Sequence, residues 1–168
     1  MADCMGVPPQ VAAYSLKVFQ GVEHRIEFVR ELDGVAYYND SKGTNPDATI
    51  TAFKAMRAPT VVILGGYDKR ISFSQMAKMA RENRNIQEAV LIGQTAGEIA
   101  SALQEAGFTA CRHAGTLDEA VSLAQSLALP GGNVLFSPAC ASFDQFKDYE
   151  ERGRIFKQLV MALGAPGG

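Results

Sequence analysis

The run Asp40-Ser41-Lys42-Gly43-Thr44-Asn45-Pro46-Asp47 gathers carboxylates, hydroxyls, a lysine and a glycine where a strand gives way to a helix. Ligands of open α/β sheets bind at such junctions. Asn45 can cap the helix with Pro46 at its first position, so free N–H groups and the Lys42 ammonium would face the same space. That chemistry suits a phosphate or a carboxylate. The same residues also make a well-capped loop with a lysine in solvent, and composition alone does not choose between the two.

Two further segments have a similar character. Gly65-Gly66-Tyr67-Asp68-Lys69 follows the apolar run Thr60–Leu64, so the backbone can turn sharply and bring Lys69 to the C-terminal edge of a sheet. The G-x-x-x-x-G-K-[ST] spacing of a P-loop is absent. Ser137-Pro138-Ala139-Cys140-Ala141-Ser142 follows the run Asn133–Phe136. Small residues there permit close approach, and Ser142 can donate to a carboxylate or cap a helix expected to begin near Phe143 and Asp144. Cys140 has no recognisable histidine partner and reads as a buried thiol. His24 and His113 lack metal-ligand spacing and read as structural or solvent-facing.

The elements that must carry these loops alternate. Thr60–Leu64, Ala89–Ile92, Phe108–Arg112 and Asn133–Phe136 read as strands, most too continuously apolar to face water on one side. Ser72–Gln75, Thr95–Glu98 and Thr116–Glu119 each have the hydroxyl-to-carboxylate or hydroxyl-to-amide spacing of a capping box. Helix stops are expected at Gly107 and near Pro130-Gly131-Gly132. The front differs, because Ile26–Glu31 and Val35–Tyr38 flank Asp33-Gly34, a dipeptide suited to a type I′ hairpin turn. Pro8–Phe19 reads as a further helix, with a linker around Gln20–Glu23. The expected fold is α/β, a Rossmann-like, mainly parallel sheet flanked by helices and opened by an antiparallel hairpin.

Composition narrows the partners. The 168 residues carry 16 basic and 18 acidic side chains, a net charge of -2, which gives no general attraction to nucleic acid or an anionic membrane. Cys4, Cys111 and Cys140 form no C-x-x-C pair, and no apolar run approaches the length of a bilayer span. A cytoplasmic monomer is expected.

Taken together, HRIEFV, NDSKGTNPDAT, GGYDK and SPACASFDQFKDYEERG resemble, in order and spacing, the C-terminal domain of the Mur ligases, specifically their D-glutamate-adding branch. The resemblance spans residues 6 to 163. It implies residues 23–168 as the domain that binds the incoming amino acid and residues 1–22 as a remnant helix of a central ATP-binding domain. It further implies amine attack by D-glutamate on an acyl phosphate of UDP-N-acetylmuramoyl-L-alanine, with ATP and Mg2+ bound mainly by the central domain. Carried over by position, Thr44 and Lys69 would meet one D-glutamate carboxylate and Ser142 and Tyr149 the other. Arg25 and Asp40 would approach the ATP ribose and phosphates, and Lys42 and Lys69 would be the catalytic cations. Tyr149 stands where some members have phenylalanine, and Arg70 adds charge beside Lys69. On this resemblance the 168 residues alone would not catalyse ligation. A stand-alone anion-binding α/β module, or another amide ligase of the same fold such as one adding glutamate to folate, would use the same loops.

Overall fold

Asp33 and Gly34 both adopt positive φ, 52° and 76°, so the two-residue turn matches the twist of the strands it joins. The strands are β1 (Glu27–Leu32) and β2 (Val35–Asn39), paired antiparallel with Leu32 opposite Val35. The expected hairpin is therefore present. A computed structural model describes residues 8, 11, 21–67 and 69–164. The expected Pro8–Phe19 helix lies outside the described residues apart from Pro8 and Val11, as does Asp68.

Beyond the hairpin the chain alternates through α1 (Pro46–Ala55), β3 (Thr60–Gly65), α2 (Ser74–Glu82), β4 (Ile86–Ile92), α3 (Ala96–Glu105), β5 (Cys111–His113), α4 (Leu117–Leu127), β6 (Asn133–Phe136) and α5 (Tyr149–Ala162). The six strands form one sheet ordered β1-β2-β6-β3-β4-β5, with every pairing after the hairpin parallel. Alternate residues of β3 separate the two cores. Val62 and Leu64 join Phe53, Met76, Ile99 and Leu103 of α1 to α3 on one face. Val61 and Ile63 join Val121, Phe156 and Val160 of α4 and α5 on the other. A strand buried on both faces needs the continuous apolar run that β3 has.

Local chemistry explains where the elements stop. At the end of α3, Gly107 at φ 79° donates to Gln104 O and Phe108 donates to Leu103 O, a Schellman closure. Phe108 is thereby buried as part of the helix stop, so β5 begins at Cys111 and the expected Phe108–Arg112 strand is shifted towards the C-terminus. β4 starts at Ile86, earlier than its apolar run suggests, because Ile86 pairs with Thr60 while Gln87 faces solvent.

Of the three expected capping boxes only one forms. Thr116 Oγ1 accepts from Glu119 N, and the Glu119 carboxylate turns back to Gly115 N. The Thr95 hydroxyl is instead committed to Gly66, accepting from its N–H and lying 3.2 Å from its carbonyl. Ser72 contacts Ser74, and α2 starts there without a side-chain cap. The helix expected near Phe143 begins at Tyr149, because the Ser142 carbonyl accepts from Gln145 and Phe146 in a turn. Its actual cap is Asp148, with Glu151 returning to Lys147 N.

Candidate functional site

The three polar loops meet where the sheet reverses its winding. From β3 the chain leaves over the α1–α3 face towards β4, whereas β6, inserted between β2 and β3, leads into α5 on the opposite face. Such a reversal opens a crevice at the strand C-termini. The loops after β3 and β6 are stitched across it by Gly65 N to Pro138 O and Tyr67 N to Ala141 O, at 2.8 and 2.9 Å.

Two clefts adjoin there. Thr44, Lys69, Ala141, Ser142, Phe143, Asp148 and Tyr149 line one of about 180 Å³, which brings together the four residues expected to hold an amino acid. Arg25, Asp40 and Lys42, with Ile26, Gly43, Ala48 and Thr51, line the other, of about 270 Å³. The remaining three site residues therefore also share a space. Lys42 stands between the two, its ammonium 5.7 Å from the centre of the Tyr149 ring.

Local geometry fixes each loop. Asn45 caps α1 by accepting from Ala48 N at 2.9 Å, with Pro46 at the first helical position. Gly43 has no room for a side chain, because a Cβ there would lie 2.7 Å from Asp40 Oδ2 and 2.9 Å from Ser137 Oγ. Ser142 is buried in the cleft wall and caps no helix. Tyr149 is the first residue of α5, where a backbone N–H has no acceptor within the helix.

Asp40 is 4% exposed, and both its oxygens already accept, Oδ1 from Ile26 N at 3.1 Å and Oδ2 from the Ser137 hydroxyl at 2.7 Å. Burial raises its pKa from 3.8 to about 6, against the pull of those two donors and of Arg25. Part of its work is structural, since Ile26 is held at φ 44°, a rare conformation for a β-branched residue. What it offers a ligand is its remaining lone pairs.

Sequence reasoning missed Arg152, which lies on α5 and is 1% exposed. Its guanidinium donates to Ser41 Oγ and Ser41 O and to the carbonyls of Cys140 and Ala141, at 2.8 to 3.0 Å. Ser41 Oγ in turn donates to Tyr149 O at 2.7 Å. One side chain thus fastens the loops after β2 and β6 to the start of α5. Burial lowers its pKa to about 10, still well above neutrality, so a full positive charge sits behind the cleft wall. The available signal was a charge in phase with the apolar stripe Phe156 and Val160 of α5.

His24 is structural, as expected. It is buried, with Nδ1 2.9 Å from Asn39 Nδ2. Glu23, His24 and Glu27 cluster closely enough to suggest a metal, but Lys157 Nζ lies 2.7 Å from Glu23 and 3.0 Å from Glu27. A single ammonium already bridges that acidic pair.

Residues 24–140 match the family model described as Mur ligase, glutamate ligase domain. The chain is 50% identical over 165 residues to the UDP-N-acetylmuramoylalanine–D-glutamate ligase of Thermoanaerobacter sp. (strain X514), covering 97% of this chain and 36% of that protein. It therefore spans about a third of the length of such curated relatives. Among solved structures, UDP-N-acetylmuramate-alanine ligase MurC from Thermotoga maritima superposes with a TM-score of 0.65 at 16% identity, over 96% of this chain and 35% of that one. MurF ligase from the same organism, in complex with ADP, gives 0.59 at 12%, over 95% and 36%. At these identities the structures show a shared fold.

Proposed function

The chain belongs to the Mur ligase family as its glutamate ligase domain, and on that premise we propose that it is the amino-acid-binding domain of a ligase joining D-glutamate to UDP-N-acetylmuramoyl-L-alanine. The observation that carries the reading is the grouping of Thr44, Lys69, Ser142 and Tyr149 around one cleft, with Arg25, Asp40 and Lys42 around its neighbour. Residues 23–168 form that domain in this reading, and residues 1–22 belong to a preceding ATP-binding domain.

D-Glutamate carries two carboxylates and needs donors at both ends. Lys69 and Thr44 take one, and the Ser142 hydroxyl and Tyr149 N–H take the other, by charge-assisted hydrogen bonds. Holding both ends fixes the direction of the amine, which is the entropic part of catalysis. The Lys42, Lys69 and Arg152 cations also disfavour an ammonium nearby, so the bound amine loses its proton more readily and becomes a nucleophile.

The neighbouring cleft offers the Arg25 and Lys42 cations to phosphates and Asp40 as acceptor to a ribose hydroxyl, a combination that suits ATP. ATP supplies the phosphoryl group that activates the acceptor carboxylate. The acidic cluster at Glu23, His24 and Glu27 is already bridged by Lys157, and in this reading Mg2+ is held mainly by the ATP-binding domain. By itself the chain orients the amino acid and carries out no ligation.

A chimera tests the proposal. The matching third of the Thermoanaerobacter enzyme is replaced with this chain, and ADP release is followed with both substrates present. D-Glutamate-dependent release that Lys69→Ala removes supports it. Release stimulated by L-glutamate instead points to a different amide ligase, and substrate-dependent ADP release by the isolated chain overturns the division of labour.

A further inference from the structure

We propose that the Tyr149 ring is a positioning group for Lys42, holding its ammonium on the ridge between the two clefts without cancelling its charge. Lys42 is half-buried, and its Nζ stands 5.7 Å from the ring centre, within the range of a cation–π contact. Among the described residues Lys42 makes no ion pair with a carboxylate. A carboxylate partner would fix the ammonium equally well but would neutralise it towards an incoming anion. A ring face fixes it through its quadrupole and leaves the full charge available on the far side.

The surrounding bonds make the contact a built feature. Ser41, the residue before Lys42, donates to the Tyr149 carbonyl, and Arg152 grips the same serine through Oγ and O. The backbones of Lys42 and Tyr149 are therefore held together from below. The ring also makes an edge contact with the buried His24, centroids 6.1 Å apart. Lys42 lines the cleft with Arg25 and Asp40, Tyr149 the cleft with Thr44 and Lys69. The ammonium on the ring thus faces the place where an anionic group reaching from one cleft to the other would lie. Ring and anion occupy opposite sides of the cation and support it together.

The inference rests on the reading that an anion enters between these clefts, but its first readout does not. In the 168-residue chain, NMR shifts of the Lys42 ε-methylene should show ring-current displacement in wild type and in Tyr149→Phe, and lose it in Tyr149→Leu. Inorganic pyrophosphate is then titrated as the probe. Tyr149→Leu should weaken its binding roughly two- to five-fold, Tyr149→Phe should restore it, and in a Lys42→Met background Tyr149→Leu should have no further effect. An unshifted Lys42 in wild type overturns the proposal, as does an equal loss from Tyr149→Leu with or without the lysine. Either result leaves the D-glutamate reading standing, because the other cleft residues carry that.

Discussion

Replacing Asp40 by asparagine isolates the cost of a buried charge at the centre of the site. The carboxyl has a folded pKa of about 6 against an ordinary 3.8, so the fold favours its protonated form. A raised acid contributes stability that is fully present below pH 4 and is lost as pH rises through about 6. At roughly 1.4 kcal/mol per unit, the loss is on the order of 3 kcal/mol by pH 8. Asparagine carries no charge, and its amide can donate to Ser137 Oγ while that hydroxyl, 2.9 Å from Thr49 Oγ1, donates to the threonine. The absolute difference between the proteins depends on how well these bonds re-form. The pH dependence of that difference does not, because the other titrating groups cancel. Urea unfolding of both proteins from pH 4 to pH 8 should show wild type losing about 3 kcal/mol relative to Asp40→Asn, centred between pH 4 and 6. A difference flat with pH, or one that moves in favour of wild type as pH rises, would mean that Asp40 is not destabilised by its charge.

Three other substitutions probe the scaffold and the cleft. Gly43→Ala should cost about 1–3 kcal/mol in urea unfolding, because the new Cβ meets Asp40 Oδ2 and Ser137 Oγ in a packed interior. Arg152→Met should cost about 3 kcal/mol or more by the same measurement, since it strands the buried carbonyls of Ser41 and Cys140 and leaves the Ala141 carbonyl only its bond from Tyr67 N. Arg152→Lys should recover only part of that, as an ammonium cannot span the same acceptors. Lys69→Ala, compared with wild type by calorimetric titration with D-glutamate, should lose at least ten-fold in affinity while the melting temperature stays within a few degrees, because Lys69 is exposed.

The fold was legible because its signals are local and repeated. The Asp33-Gly34 turn, the apolar run of β3, the Asn45-Pro46 start of α1 and the Gly107 stop each declare themselves within a few residues. The errors arose where a side chain had a stronger claim elsewhere in space. Thr95 reads as a cap, yet its hydroxyl is taken by Gly66 across the sheet edge. Ser142 also reads as a cap, yet α5 waits for Asp148, whose spacing to Glu151 is that of a capping box. The grouping of Thr44 with Lys69, Ser142 and Tyr149 depends on strand order, since β6 inserts between β2 and β3, and no local pattern encodes that. Arg152 was hidden for a related reason, because its partners are the Ser41 hydroxyl and backbone carbonyls over 10 or 100 positions away.

An amide-resolved NMR titration of the 168-residue chain with D-glutamate, with L-glutamate as the control, tests the assignment of the amino-acid cleft. Shifts are expected at Thr44, Lys69, Ser142 and Tyr149 with D-glutamate, weaker effects with the L enantiomer, and none at Cys111–His113 on the far edge strand. Equal responses to both enantiomers, or shifts that bypass the cleft between the loops after β2, β3 and β6, would contradict it.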